Sequence, residues 1–303
     1  MTLSQYHEDC CRYLLIEQGL TSATINTYRA NFHEFIMWLE SERLPLDVSS
    51  IEDYKVLRKF MYHLAERRLH KNTVRQRMVS LKTFCKFLLR EDILQRNPFD
   101  RFDIPKKVKG LPKPLSDNVR DKLLDLIKRR AGSSNNWRDI QAVVILELGF
   151  RCGFRKKAMR SMTWENTDLN SGETWVIDKG DKEKIYILLP STVHWLKILK
   201  LSRGVTEGHV LLSPRSKTPI SVTSLHDEFK RYVDIAGLGE ERINLHRLRH
   251  TFGTNALEAG MDIREVQELM GHADIGSTIG YVEVSKKRLR DKIKKRGAFS
   301  SAR

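Results

Sequence analysis

Four cysteines in 303 residues, at positions 10, 11, 85 and 152, form no C-x-x-C pair, and adjacent Cys10 and Cys11 do not suit a disulfide framework. The spacing therefore excludes a small disulfide-stapled secreted fold, and reduced thiols of a cytosolic protein are expected. Long apolar runs are also missing. The longest, AVVIL at 142–146, is far short of the roughly 20 residues a membrane-spanning helix needs. The N-terminal MTLSQYHEDCCRY lacks the basic stretch and apolar core of a signal peptide. Proline is scarce, and half of the eight prolines are packed between Asn97 and Pro114. No internal repeat is apparent. Acid is in short supply: 38 Asp and Glu face 54 Lys and Arg, for a net charge of +16. With 40% hydrophobic residues, what remains is enough to build the cores of one or two globular domains.

The positive charge is unevenly spread. Residues 1–105 carry 16 Lys and Arg against 14 Asp and Glu, whereas residues 106–303 carry 38 against 24. A domain with that excess favours a polyanion, and nucleic acid suits it better than a membrane surface because no amphipathic or lipidated anchor is evident. The first hundred residues read as helix throughout. Ile25, Tyr28, Phe32, Phe35 and Leu39 form one apolar stripe. A third helix is expected to start with Ser50 as its cap, ahead of the acids Glu52 and Asp53. In a fourth, after His70, Val74, Met78, Leu81, Cys85 and Leu88 make the buried side while Arg75, Lys82, Lys86 and Arg90 line an adjacent face. Such a face is either merely solvated or a contact for nucleic acid. The stretch NPFDRFDIPKKVKGLPKP, with Lys106 and Lys107 at its centre, reads as an extended basic linker. It suggests a helical domain over 1–105, a linker over 106–114 and a second domain over 115–303.

The second domain is expected to open with helices from Ser116 and over Ile140–Leu148. Two short runs rich in branched and aromatic residues, Thr174–Ile177 and Lys184–Leu189, then predict a hairpin whose turn is DKGDKE. Helices follow around Val193–Leu201 and Val222–Ile235.

The most informative stretch is LHRLRHTFGTNALEAGMDIREVQELMGHADIGSTIGY, residues 245–281. Leu245, Leu248, Phe252, Ala256 and Leu257 recur at helical spacing up to Gly260, so His246 and Arg249 leave one face three residues apart. Asp262 and Glu265 have capping-box spacing and start a second helix that Gly271 stops, just before His272. Ser277 or Thr278 can cap a third, which would carry Tyr281. Taken singly these residues have plainer readings. Tyr281 lies between Ile279 and Val282 and suits a core, and His246 with His250 has zinc-helix spacing. Metal is disfavoured because Arg247 and Arg249 stand among the two histidines with no acid. As a set they suit a phosphate: arginine forks match its oxygens, histidine donates or exchanges a proton, and a tyrosine hydroxyl can attack phosphorus.

This ordered set, His246-x-x-Arg249-His250, then Leu269-Met270-Gly271-His272, then Tyr281 nine residues on, resembles the catalytic box of the tyrosine recombinases and integrases, in particular the Xer and transposon-resolvase branch. The resemblance implies a mainly α fold with a small β-sheet in the C-terminal domain, arranged as a two-domain DNA clamp. The N-terminal domain would be a SAM-like core-binding domain, in which Arg75, Lys82, Lys86, Arg90, Lys106 and Lys107 become DNA contacts. It also implies that Arg155, in GFRKKAM, fills the place of the first catalytic arginine, and that Lys179 in the hairpin turn is the catalytic lysine, with Lys182 as second choice. Strand exchange would run through a 3′-phosphotyrosine on Tyr281, without metal, ATP or other cofactor. The expected partners are duplex DNA with inverted-repeat half-sites, three further copies in a tetramer, and accessory DNA-bending proteins; no membrane is involved, and the setting is the cytoplasmic nucleoid. Two departures stand out. Ala158 replaces a common acid, whose bracing role would pass to Glu165 or Asp168 or be lost, and Asp178 replaces a frequent glycine. The competing readings are a topoisomerase-like or telomere-resolving nicking and joining enzyme, and a sequence-specific DNA-binding protein whose site has decayed.

Overall fold

The computed structural model describes residues 2–108, 113–134, 136–177, 183–241 and 243–270. The chain divides into two compact units, Met1–Lys109 and Gly110–Arg303, within the stretch read as a linker. Both are mostly helical, and among the described residues no helix is long and apolar enough to cross a membrane.

The first unit holds five α-helices: α1 Leu3–Ile16, α2 Ser22–Ser41, α3 Val48–Glu52, α4 Tyr54–Glu66 and α5 Lys71–Arg90. A capping box between Thr2 and Gln5 starts α1, and Thr21 caps α2. The expected helix with Ser50 as its cap is instead two helices. Asp47 caps α3 and Asp53 caps α4, while Ser50 lies inside α3 and its hydroxyl donates to the Pro45 carbonyl at 2.6 Å. Aspartate is as good a cap as serine, so the closely spaced acids decided the boundary. The apolar faces close around Phe32, Phe35, Trp38, Phe60 and Phe84. His7 is buried among them, stacked on Phe32 with ring centroids 3.8 Å apart.

The second unit is built around α7 (Trp137–Phe150), which follows α6 (Asp117–Ser134); every residue of α7 from Asp139 to Phe150 is buried. A helix apolar on nearly all sides needs neighbours all round, and α6, α9 (Pro190–Arg203) and α11 (Leu245–Glu258) supply them. Buried Glu147 ties three of these together, with the Lys128 ammonium of α6 at 2.7 Å and the Ser191 hydroxyl of α9 at 2.8 Å. α11 approaches closely because Gly149 has no side chain: a Cβ there would lie 2.8 Å from Leu248 Cδ1.

The expected hairpin is present as β2 (Glu173–Ile177) antiparallel to β3 (Glu183–Ile187), with Trp175 opposite Ile185. A two-residue strand that the sequence pattern did not suggest, β1 (Thr167–Asp168), pairs with β2 to make a three-stranded sheet. Alternation puts Thr174, Val176 and Tyr186 inward and leaves Trp175, Ile177, Ile185 and Ile187 outside. The short α8 (Lys156–Ser161), α10 (Val222–Ile235) and α12 (Ile263–Met270) are the other α-helices among the described residues of the unit.

Candidate active site

The site is assembled from the start of α11, the turn before α8 and the end of α12. Asn244 caps α11, its side chain accepting from the Arg247 amide at 3.1 Å, so His246 falls in the first turn and Arg249 one turn later. Leu245 and Leu248 anchor the helix in the core. Arg249 is only 4% exposed. Its guanidinium donates from one nitrogen to the Gly153 carbonyl and from the other to the Met270 carbonyl, so it spans the turn before α8 and the last residue of α12. A buried guanidinium is tolerated where its donors are satisfied.

Gly153 adopts a left-handed backbone, φ +64°, and a Cβ there would lie 2.4 Å from the Phe252 ring. Only glycine meets both demands, and the turn it makes delivers Arg155 to the head of α8 as its N-cap residue. Arg155 is half-buried. Its charge reaches His246: the imidazole is held below its ordinary pKa, first by partial burial and then by the nearby Lys156, Arg249 and Arg155. His246 nevertheless keeps an exposed edge, so it is neutral near pH 7 and open to a ligand. His250, on the same helix, is carried down to about 4, first by burial and then by His246, Arg249 and Arg247.

Asp262 and Glu265 form the expected reciprocal cap of α12: the Asp262 amide donates to Glu265 at 2.7 Å, and Asp262 accepts from the Arg264 amide at 2.7 Å. Arg155, His246 and Arg249 are thus brought to one place. Lys179, Lys182, His272, Tyr281 and the C-terminal stretch from Ser285 lie outside the described residues.

Among the described residues, neither acid suggested as a substitute for the missing brace at Ala158 is engaged with Arg155, His246 or Arg249. Glu165 accepts from the Gly208 amide, 43 positions along the chain, at 2.6 Å, and Asp168 from the Asn170 amide of its own turn at 2.7 Å. Ala158 itself is fully buried in the apolar core. The sequence reading also passed over Lys156, which adds to the field on His246, and Lys184. The signal for Lys184 was the strand alternation, which puts it on the inward face with Tyr186.

In the first unit, Arg75, Lys82, Lys86 and Arg90 form a stripe along α5 that spans about 22 Å at helical rise. Its two ends have local partners: Arg75 donates to the Pro105 carbonyl at 3.0 Å, and Arg90 to the Tyr13 hydroxyl at 2.7 Å. Lys86, Lys106 and Lys107 are exposed and Lys82 is half-buried. Residues around Lys106 and Lys107 are pinned rather than loose, since Asn72 exchanges two hydrogen bonds of 2.8 Å with the Val108 backbone.

Known proteins resemble this chain along most of its length. Residues 113–288 match the phage integrase family and residues 8–92 its N-terminal SAM-like domain. The chain is 30% identical over 282 residues to tyrosine recombinase XerD of Proteus mirabilis, covering 91% of this chain and 87% of that protein. It is 28% identical over 292 residues to tyrosine recombinase XerC of Syntrophus aciditrophicus, covering 92% of each. Among solved structures it shares its fold with XerH recombinase bound to palindromic difH substrate (TM-score 0.70, 19% identity, 95% of this chain and 83% of that one). A lambda integrase dimer bound to a core site is similar (TM-score 0.68, 17% identity, 91% and 96%). The chain belongs to the phage integrase family.

Proposed function

We propose that the site formed by Arg155, His246 and Arg249, completed by Lys179, His272 and Tyr281, carries out reversible transesterification on a DNA backbone. The enzyme is a site-specific tyrosine recombinase that cleaves and rejoins DNA. Tyr281 attacks the phosphorus, the bond to the 5′-oxygen breaks, and a 3′-phosphotyrosine with a free 5′-hydroxyl results. Neutral His246 accepts the phenolic proton; Arg155, Arg249 and His272 stabilise charge on the non-bridging oxygens; Lys179 protonates the departing oxygen. The bond energy is kept in the covalent link, so a 5′-hydroxyl from a second duplex can reverse the step and exchange strands. The working assembly on this reading is a homotetramer on two sites of inverted half-site symmetry, with accessory bending proteins, in the cytoplasmic nucleoid. The first unit contacts the duplex through Lys82, Lys86, Lys106 and Lys107, with Arg75 and Arg90 framing them.

The observation that carries this reading is the buried Arg249 beside a histidine whose pKa is lowered by partial burial and then by neighbouring cations, a pairing suited to an anion that also needs a base. The test is covalent capture on a nicked suicide substrate. Wild type forms a denaturation-resistant adduct and Tyr281→Phe forms none while retaining DNA affinity within a few-fold; an adduct with the Phe variant would refute the assignment. Holliday junctions from two duplexes separate strand exchange from topoisomerase-like rejoining.

A further inference from the structure

Lys184 lies on the inward face of β3, where a lysine is unfavourable unless its ammonium finds acceptors. Among the described residues it finds the Glu268 carbonyl at 3.1 Å and the Leu269 carbonyl at 2.6 Å, both in the last turn of α12. The next carbonyl along, that of Met270, accepts from Arg249. Three successive carbonyls at one helix terminus are therefore held by two cations, one from the sheet and one from the candidate site. A positive charge there also complements the negative end of the helix.

The same ammonium sits 4.3 Å from the centroid of the Tyr186 ring. Tyr186 stacks on Phe154, with centroids 4.0 Å apart, and Phe154 lies between Gly153, whose carbonyl also accepts from Arg249, and Arg155. Lys184 thus touches two supports of Arg249: the α12 terminus directly, and the Gly153 turn through two stacked rings. We propose that Lys184 is a positioning residue that fixes the Arg249 guanidinium by clamping the Met270 and Gly153 anchor points, and so links the β2–β3 pair to the phosphate-binding arginine. It acts through Arg249 and not on the substrate. This rests on the proposed role of Arg249 toward the non-bridging oxygens.

A group that acts only through Arg249 should share its chemical signature. When a methyl group replaces a non-bridging oxygen of the scissile phosphate, the negative charge that Arg249 serves is gone, so loss of Arg249 costs little. The experiment compares cleavage by full-length wild type, Arg249→Ala, Lys184→Met and Lys184→Arg on the phosphodiester and on the methylphosphonate. A displacement of about 1 Å in a catalytic group costs on the order of 10²-fold, so Lys184→Met is expected to cleave the phosphodiester about 10- to 100-fold more slowly. On the methylphosphonate it should approach wild type, as Arg249→Ala does, and Lys184→Arg, which retains the donors, should keep most activity on both. A simply misfolded variant would fail on both substrates.

Failure of Lys184→Met on both substrates, alongside recovery of Arg249→Ala, overturns the role of Lys184 and leaves the reading of Arg249 intact. Failure of Arg249→Ala to recover overturns that reading and this proposal with it. Amide hydrogen exchange in Val266–Met270 supplies a readout independent of activity. It should quicken in Lys184→Met and not in Lys184→Arg, and unchanged exchange in Lys184→Met would show that the clamp holds nothing.

Discussion

Four arginines of the first unit and the two cations at the candidate site of the second are held in different ways. In the first, arginine is matched with carboxylate: Arg29 with Glu8, Arg67 and Arg77 with Glu34, Arg90 with Glu17. In the second, Arg249 and Lys184 are fixed by backbone carbonyls of Gly153, Met270, Glu268 and Leu269. A carboxylate cancels the charge it positions; a carbonyl holds the side chain and leaves the unit charge to act on something else. Histidines divide likewise. His7 is carried down to about 4, chiefly by burial, in an aromatic stack where it packs on Phe32 and meets the Cys11 thiol at 3.7 Å. His246 is lowered by burial and cations yet keeps an open edge, so its neutrality is available to chemistry.

The sharpest test of this contrast replaces one arginine from each unit. Arg249→Ala should lower the cleavage rate by about 10² to 10³-fold, the usual loss for a group stabilising transition-state charge. Arg29→Ala, removing an exposed ion pair, should leave thermal stability little changed and cleavage unchanged. Comparable losses in the two variants would erase the distinction. Gly153→Ala comes next. It must adopt φ +64° and displace Phe252, and a destabilisation of about 1–3 kcal/mol in thermal unfolding is expected, with cleavage falling further because the Gly153 carbonyl holds Arg249. Unchanged stability would mean that the turn has room.

A pH profile tests the histidine half. On the proposed mechanism neutral His246 is the base, and its pKa is lowered from the ordinary 6.5, first by burial and then by neighbouring cations. Cleavage should therefore stay flat as pH falls to 6.5 and decline only below it, as the imidazole protonates. An acid limb centred above 6.5 that vanishes in His246→Ala would show an imidazole stabilised as the cation, contrary to its surroundings.

Much of this was legible in the residues. The helical periodicity from Leu245 to Leu257 and the Asp262–Glu265 cap fixed where Arg249 and the end of α12 would lie, because local hydrogen bonding and burial decide those elements. Val222–Ile235 emerged with its expected ends for the same reason. What escaped was non-local. That Arg249 bridges Gly153 and Met270 depends on residues 96 and 21 positions away, and nothing near Ala158 revealed that Glu165 is engaged by Gly208, 43 positions away, and Asp168 by its own turn. Strand β1 is two residues long and exists only because β2 is beside it. Ser50 failed as a cap because Asp47 and Asp53 compete for the same work within six residues of chain.

The smallest expected effect concerns the basic stripe of the first unit, whose ends are partnered and whose middle is open. Binding of duplex DNA should weaken with salt, with a log-log slope of about −0.9 for each phosphate neutralised. Lys82→Ala with Lys86→Ala should flatten that slope by up to about 1.8 if each lysine meets a phosphate. Asn72→Ala probes something different. It keeps every charge but releases Val108, so Lys106 and Lys107 must be ordered at the moment of binding; because Arg75 still holds Pro105, the cost is a fraction of the roughly 1 kcal/mol per residue of full ordering. Affinity should fall several-fold at every salt concentration while the slope stays as in wild type. A flattened slope in Asn72→Ala would mean that the released lysines no longer reach the backbone at all, and that their pinning sets the contact itself and not merely its readiness.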